Sequence, residues 1–196
     1  MRLFFSPTSP FVRKVLACAI ARGIEDRIEK VSTSTMTSAE LPLANPLGKV
    51  PCLLLDDGTA VYDSPVICDH LDTIGGAAPL LPASGPARLR AMILQALADG
   101  IMDAAVLRRG QLAAPQDEAR AASNARQKAA VERGLDRLES DPPQGLEDIG
   151  AISVACALGY LDFRYSSEPW RETRPQLAAW FASVSTHPAL ATTAPA

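Results

Sequence analysis

The chain has 196 residues, 47% of them hydrophobic and 21% charged, and a formal net charge of -3. That length and apolar content supply a sizeable core, for one large domain or two small ones, and exclude global disorder. The mild acidity offers no basic face to a nucleic-acid backbone, and no window approaches the roughly 18 apolar residues of a membrane span.

The opening MRLFFSPTSPFVRK lacks a signal peptide's apolar stretch. Cys18, Cys52, Cys68 and Cys156 are scattered and form no CxxC or Cys/His cluster. Reduced thiols in a cytoplasmic compartment are therefore expected, rather than disulfides or a metal site.

Arg2 to Phe5 is a short apolar run stopped by Ser6 and Pro7, and reads as a strand. From Pro10 to Arg22 the apolar residues Phe11, Val15, Cys18 and Ala19 recur at spacings of three and four, which marks a helix. Gly23 follows where a helix end takes a left-handed residue. Residues 28–31 read as a second strand, and the polar 32–45 as loop with a weak helical turn. Residues 50–55 and 59–62 flank Asp56-Asp57-Gly58, a hairpin signal. Ser64 then stands as a capping residue before Pro65, opening a helix to about Ile74.

The order βαβαββα is that of a thioredoxin-like domain, expected over residues 1–79. A Pro/Gly/Ser break at 79–86 reads as the linker. Beyond it residues 87–107, 116–138, 149–163 and 175–185 are Ala- and Leu-rich helical stretches, expected to form an α-helical bundle domain over 86–196. The tail after His187 is expected to be poorly ordered at its tip.

Three segments carry chemistry. In Asn45-Pro46-Leu47-Gly48-Lys49-Val50-Pro51 two prolines bracket a glycine, and the second precedes an apolar strand, where its missing N–H breaks no ladder. Asp63-Ser64-Pro65-Val66-Ile67 joins an anion to a helix start. Ser6-Pro7-Thr8-Ser9-Pro10-Phe11 links the first strand to the first helix. NPLGKVPCL resembles the NPxGxVPxL segment of cytosolic glutathione S-transferases, and Asp63 to Ile67 resembles that family's [ED]-S-x-A-I motif. Without the resemblance, the first segment reads as a tight turn and Ser64 as a plain helix cap.

The resemblance implies a cis Val50-Pro51 bond, with the Val50 backbone pairing the cysteinyl part of glutathione, and Lys49 and Pro51 in the same grip. It places Asp63 against the ammonium of the γ-glutamyl end. Ser64, with the first free N–H groups of its helix, would hold the carboxylate of that end. Ser9-Pro10-Phe11 stands where glutaredoxins and cysteine-type transferases have Cys-Pro-Phe/Tyr. Ser9 there could donate a hydrogen bond to the thiolate of glutathione but could not form a mixed disulfide, which favours conjugation over thiol–disulfide exchange. Ser9 also reads as an ordinary N-cap, and Ser6 is the runner-up for the thiol. Phe5 stands where some transferases carry a tyrosine.

The remaining polar residues read more plainly. Arg13 and Lys14 read as surface or interface charges, His70 and His187 as uninvolved, and Cys52 as core packing beside the possible thiol. Asp148 fits the N-cap of a buried helix resembling the family's (S/T)-x-x-D element, with Ala151 in place of the closing acid. The acceptor pocket is expected along residues 97–107, the helix bearing Asp99, Met102, Asp103 and Arg108. The resemblance also implies a homodimer, in which Asp99 or Asp103 could reach the partner's glutathione. The activity it implies is attack of glutathione, the co-substrate, on a small electrophile, as in detoxification. A glutathione-binding protein with little catalysis and a glutathione-dependent isomerase or dehalogenase remain the alternatives.

Overall fold

A computed structural model of the chain describes residues 1–115 and 117–195. The expected helix start at Gln116 and the tail's last residue, Ala196, lie outside the described residues. Chain contacts divide the protein into two compact units, Met1–Leu89 with His187–Ala196, and Arg90–Thr186.

In the first unit β1 (Arg2–Phe5), β2 (Glu29–Ser32), β3 (Cys52–Leu54) and β4 (Ala60–Val61) form one mixed sheet in the order β2-β1-β3-β4. β1 runs parallel to β2 and antiparallel to β3, with Leu3 opposite Leu53 and Phe4 opposite Cys52. Strand side chains alternate between faces, so these two pairs point to opposite sides of the sheet. Phe4 and Cys52 form a core with Leu41 of α2 (Leu41–Ala44), the short helix that closes the expected polar loop. α1 (Pro10–Ala21) packs on α3 (Ser64–Ile74), and α3 packs on β3. Gly58, at φ +88°, turns the β3–β4 hairpin, the backbone region that Asp-Gly predicted.

The far ends of α1 and α3 are tied by one buried side chain. Arg22 donates to the carbonyls of Asp72 (3.0 Å) and Gly75 (2.6 Å), and its Nε lies 3.0 Å from the Asp72 carboxylate. That carboxylate accepts from the N–H groups of Leu80 and Leu81, which fixes the start of the expected linker.

The last residues depart from the expected partition. The chain returns at His187, and α8 (Pro188–Ala191) packs on α1 with Ala189 and Leu190 buried. Two apolar side chains give this segment a core to enter, so it belongs with the first unit and not with the helical domain.

The second unit carries most of α4 (Gly85–Leu112), then α5 (Glu118–Ser140), α6 (Ile149–Arg164) and α7 (Pro175–Val184). α6 is buried almost all round from Ile149 to Leu161, the signature of a central helix. Asp148 caps it as expected, accepting from the Ala151 N–H at 2.8 Å. Among the described residues no helix is long and apolar enough to cross a membrane.

Candidate active site

The sheet register gathers the three motif segments. Run past the paired residues, it sets Phe5 and Ser6 level with Pro51 and Val50, and Asp63 level with Pro51. The end of β1, the start of β3 and the end of β4 therefore open on one edge of the sheet. α1 and α3 both begin there, with their free N–H groups and positive dipole ends.

Each segment is held locally. Asn45, 2% exposed, donates to the Lys49 carbonyl at 2.8 Å and accepts from the Leu47 N–H at 3.0 Å. Gly48 takes φ +61°, and the Val50-Pro51 bond is cis, as expected. The chain thus arrives at Val50 with its backbone fixed from both sides. No hydrogen bond within the described residues engages the Val50 N–H or C=O. Asn45 is the supporting residue that sequence reasoning gave no role; the signal was the Asn-Pro pair, whose side chain can replace a backbone partner in a turn. Lys49 is exposed beside it.

At α3 the structure corrects the cap. The Asp63 carbonyl accepts from the Ile67 N–H at 3.0 Å while Asp63 itself is extended, which makes Asp63 the N-cap and puts Ser64 inside the first turn. The exposed Asp63 side chain makes no capping bond, and Ser64 is 2% exposed. With Pro65 lacking an N–H, the Ser64 and Val66 amides are the open donors of this turn. The Tyr62-Asp63 bond is also cis.

Ser9 is the N-cap of α1. Its Oγ accepts from the Val12 N–H at 3.3 Å, which leaves the hydroxyl proton available to donate. Ser6 closes the turn before it, its carbonyl accepting from the Ser9 N–H at 3.1 Å.

Arg13 and Lys14, expected as surface or interface charges, are both withdrawn from solvent. Arg13 is 9% exposed and donates to the Leu190 carbonyl in the returning C-terminal segment, and Lys14 is fully buried. Cys52 sits in the core, and burial pushes its thiol up and keeps it protonated. Cys18 is pushed well up by a hydrogen bond with Cys68 and by burial, so neither thiol is poised as a nucleophile.

Along α4, Met102 and Arg108 do not offer an open wall. Met102 is fully buried, and Arg108 donates to Asn124 (3.0 Å) and Glu168 (2.8 Å) while stacking on Tyr165. His70 and His187 serve locally, the first through its carbonyl to Thr73 and the second through Nδ1, which caps α8. Among the described residues, no group of three or more His, Cys, Asp or Glu could hold a metal ion.

Comparison with known proteins fits this arrangement. The glutathione S-transferase N-terminal domain family matches residues 8–74, and the glutathione S-transferase C-terminal domain family matches residues 121–183. The chain is 33% identical over 201 residues to the uncharacterized GST-like protein YibF of Escherichia coli K12, covering 100% of this chain and 98% of that protein. A glutathione transferase family member of Pseudomonas fluorescens Pf-5, solved with bound glutathione, is 43% identical with a TM-score of 0.91, over 100% of this chain and 98% of that one. A glutathione S-transferase of Methylobacillus flagellatus KT, also solved with glutathione bound, is 34% identical with a TM-score of 0.91, over 100% and 99%. The chain belongs to the glutathione S-transferase family, with a thioredoxin-like N-terminal domain and a helical C-terminal domain.

Proposed function

We propose that this protein binds glutathione at the open edge of its sheet and activates the thiol for attack on a small electrophile. The observation that carries this reading is the backbone of Val50, fixed beside cis-Pro51 with its N–H and C=O unengaged, level with the starts of α1 and α3. An extended peptide backbone can pair with it as a short added strand. Asp63 supplies an anion for the γ-glutamyl ammonium. Ser64, with the open amides of the α3 first turn, supplies donors for the neighbouring carboxylate. Lys49 is exposed next to Val50 and adds a cation to the same grip.

The sulfur then meets the start of α1. The helix dipole and the Ser9 hydroxyl both favour thiolate, lowering the thiol pKa from its usual ~8.5 toward neutrality. The thiolate bonds to an electrophilic carbon, and the electron pair leaves on a departing group or enters a conjugated acceptor that is then protonated.

Relatives solved with glutathione in place support this reading. Four buried cysteines that form no disulfide among the described residues suit a reducing, cytoplasmic setting, where glutathione is found. Met92 and Ile93, exposed on α4, are apolar surface that a second copy would cover in a homodimer.

Calorimetric titration with glutathione tests the grip. Asp63→Ala and Ser64→Ala should each weaken binding roughly tenfold or more, the worth of a charge-assisted hydrogen bond. Unchanged affinity in both folded variants sinks the assignment of this edge. Turnover against a panel of electrophiles, with product analysis, separates a transferase from an isomerase, a dehalogenase or a binding protein.

A further inference from the structure

Arg13 is a buried polar residue that this function leaves unexplained. Its backbone N–H donates to the Ser9 carbonyl at 3.0 Å and so closes the first turn of α1 on the proposed thiol site. Its guanidinium runs the other way into the protein and donates through Nη2 to the Leu190 carbonyl of α8 at 3.1 Å. The remaining donors, Nε and Nη1, are buried without a hydrogen-bond partner among the described residues. One carbonyl is thin compensation for a buried guanidinium, and an apolar side chain of similar volume would serve packing better.

Charge placement points the same way. Cations near the start of a helix oppose its dipole and disfavour the helix, but they strengthen its attraction for an anion held at the N-cap. Arg13 lies four residues after the N-cap, and α8 is a single turn whose last carbonyls have no helical partner of their own. The guanidinium satisfies one of those carbonyls, that of Leu190, which the Thr193 hydroxyl also approaches at 3.4 Å.

We propose that Arg13 is a positioning residue for the thiol site, clamping the C-terminal helix α8 against α1 and so fixing the turn that presents Ser9. This inference rests on the reading that glutathione sulfur lies at the start of α1. It makes residues 188–191 part of the thiol-activating apparatus, although they are the last helix of the chain.

The test reads ionisation of bound glutathione, as thiolate absorbance against pH, beside binding of S-methylglutathione, which has no thiol to ionise. In Arg13→Gln the ionisation midpoint should rise by about one unit, with roughly tenfold less thiolate below it and a similar fall in kcat. S-methylglutathione affinity should hold. Deleting residues 188–196 should reproduce the shift, and combining the two changes should add little, because each removes the same contact.

Hydrogen exchange on the unmodified chain keeps the test independent of whether either variant folds. The amides of Arg13 and Lys14 should open together with those of Leu190 to Thr192. Rapid exchange of the α8 amides while Arg13 stays protected overturns the clamp, as does a wild-type midpoint in folded Arg13→Gln. Failure of the unmodified chain to bind S-methylglutathione brings down the glutathione reading, and this inference with it.

Discussion

At the start of α1 the Ser9 hydroxyl has two roles open to it, and glycine separates them. Ser9 caps the helix by accepting from the Val12 N–H, and its proton is free to donate toward a bound sulfur. Ser9→Ala removes both, at a cost of about 0.5–2 kcal/mol for the cap alone. Ser9→Gly keeps most of the capping preference, giving up only a few tenths of a kcal/mol by rough estimate. Thermal unfolding of Ser9→Gly should therefore stay near wild type while the ionisation midpoint of bound glutathione rises. A wild-type midpoint in Ser9→Gly, with a raised one in Ser6→Ala, moves the donor to Ser6. Ser9 itself was legible in the sequence because Ser-Pro before an apolar periodic run is a strong helix-start signal. Arg13 and Lys14 were not. Residues four and five positions past a cap can face solvent or another element, and for Arg13 the partner lies in residues 188–191, far along the chain.

Element boundaries came through where local chemistry decides them. Gly58 turns the hairpin, Gly23 ends α1 at φ +66°, and Asp148 caps α6, all from short-range turn and cap rules. The α3 cap shifted by one residue because Asp63 and Ser64 are both good caps, and propensity does not rank them. Interhelix contacts were the illegible part, and Gly150 shows why. In the first turn of α6, alanine should stabilise the helix over glycine by up to about 1 kcal/mol on propensity. A Cβ at Gly150 would lie 2.6 Å from the Ala91 carbonyl oxygen and 2.7 Å from the Leu94 Cβ on α4. Backbone cannot yield as a flexible side chain can, so the sign reverses. Gly150→Ala should destabilise the fold by about 1–3 kcal/mol, the range for overpacking. Chemical denaturation checks it, and a midpoint at or above wild type would show that α4 and α6 have room to part.

For the whole molecule, the sequence pattern captured the change from mixed strands and helices to helices alone. The return of the last ten residues to the first unit was hidden, since a short Ala-rich tail carries no periodicity long enough to assign a partner. Charge networks within a unit were equally hidden, because Arg108, Lys128 and Glu168 are each unremarkable in sequence. In the structure Glu168 accepts from the buried Arg108 at 2.8 Å and pairs with Lys128 at 3.0 Å. Desolvation raises the Glu168 carboxyl, but the hydrogen bonds from Arg108 and Lys128 outweigh it, so the net direction is down from the ordinary glutamate value. A carboxylate whose pKa is depressed by folding binds its proton more readily when unfolded. Its contribution is therefore fully present above the unfolded glutamate pKa of about 4.3 and is lost as pH falls through the lower folded value. Glu168 is 30% exposed and Lys128 about half exposed, which holds the network to on the order of 1 kcal/mol. For a chain of this length that is roughly 2–4 °C in Tm. Glu168→Gln should unfold a few degrees lower than wild type at pH 7, and the gap should close as both are acidified below pH 4 or so. A gap of constant size across that range would mean that Glu168 acts through packing, and that its charge is not what holds Arg108 in place.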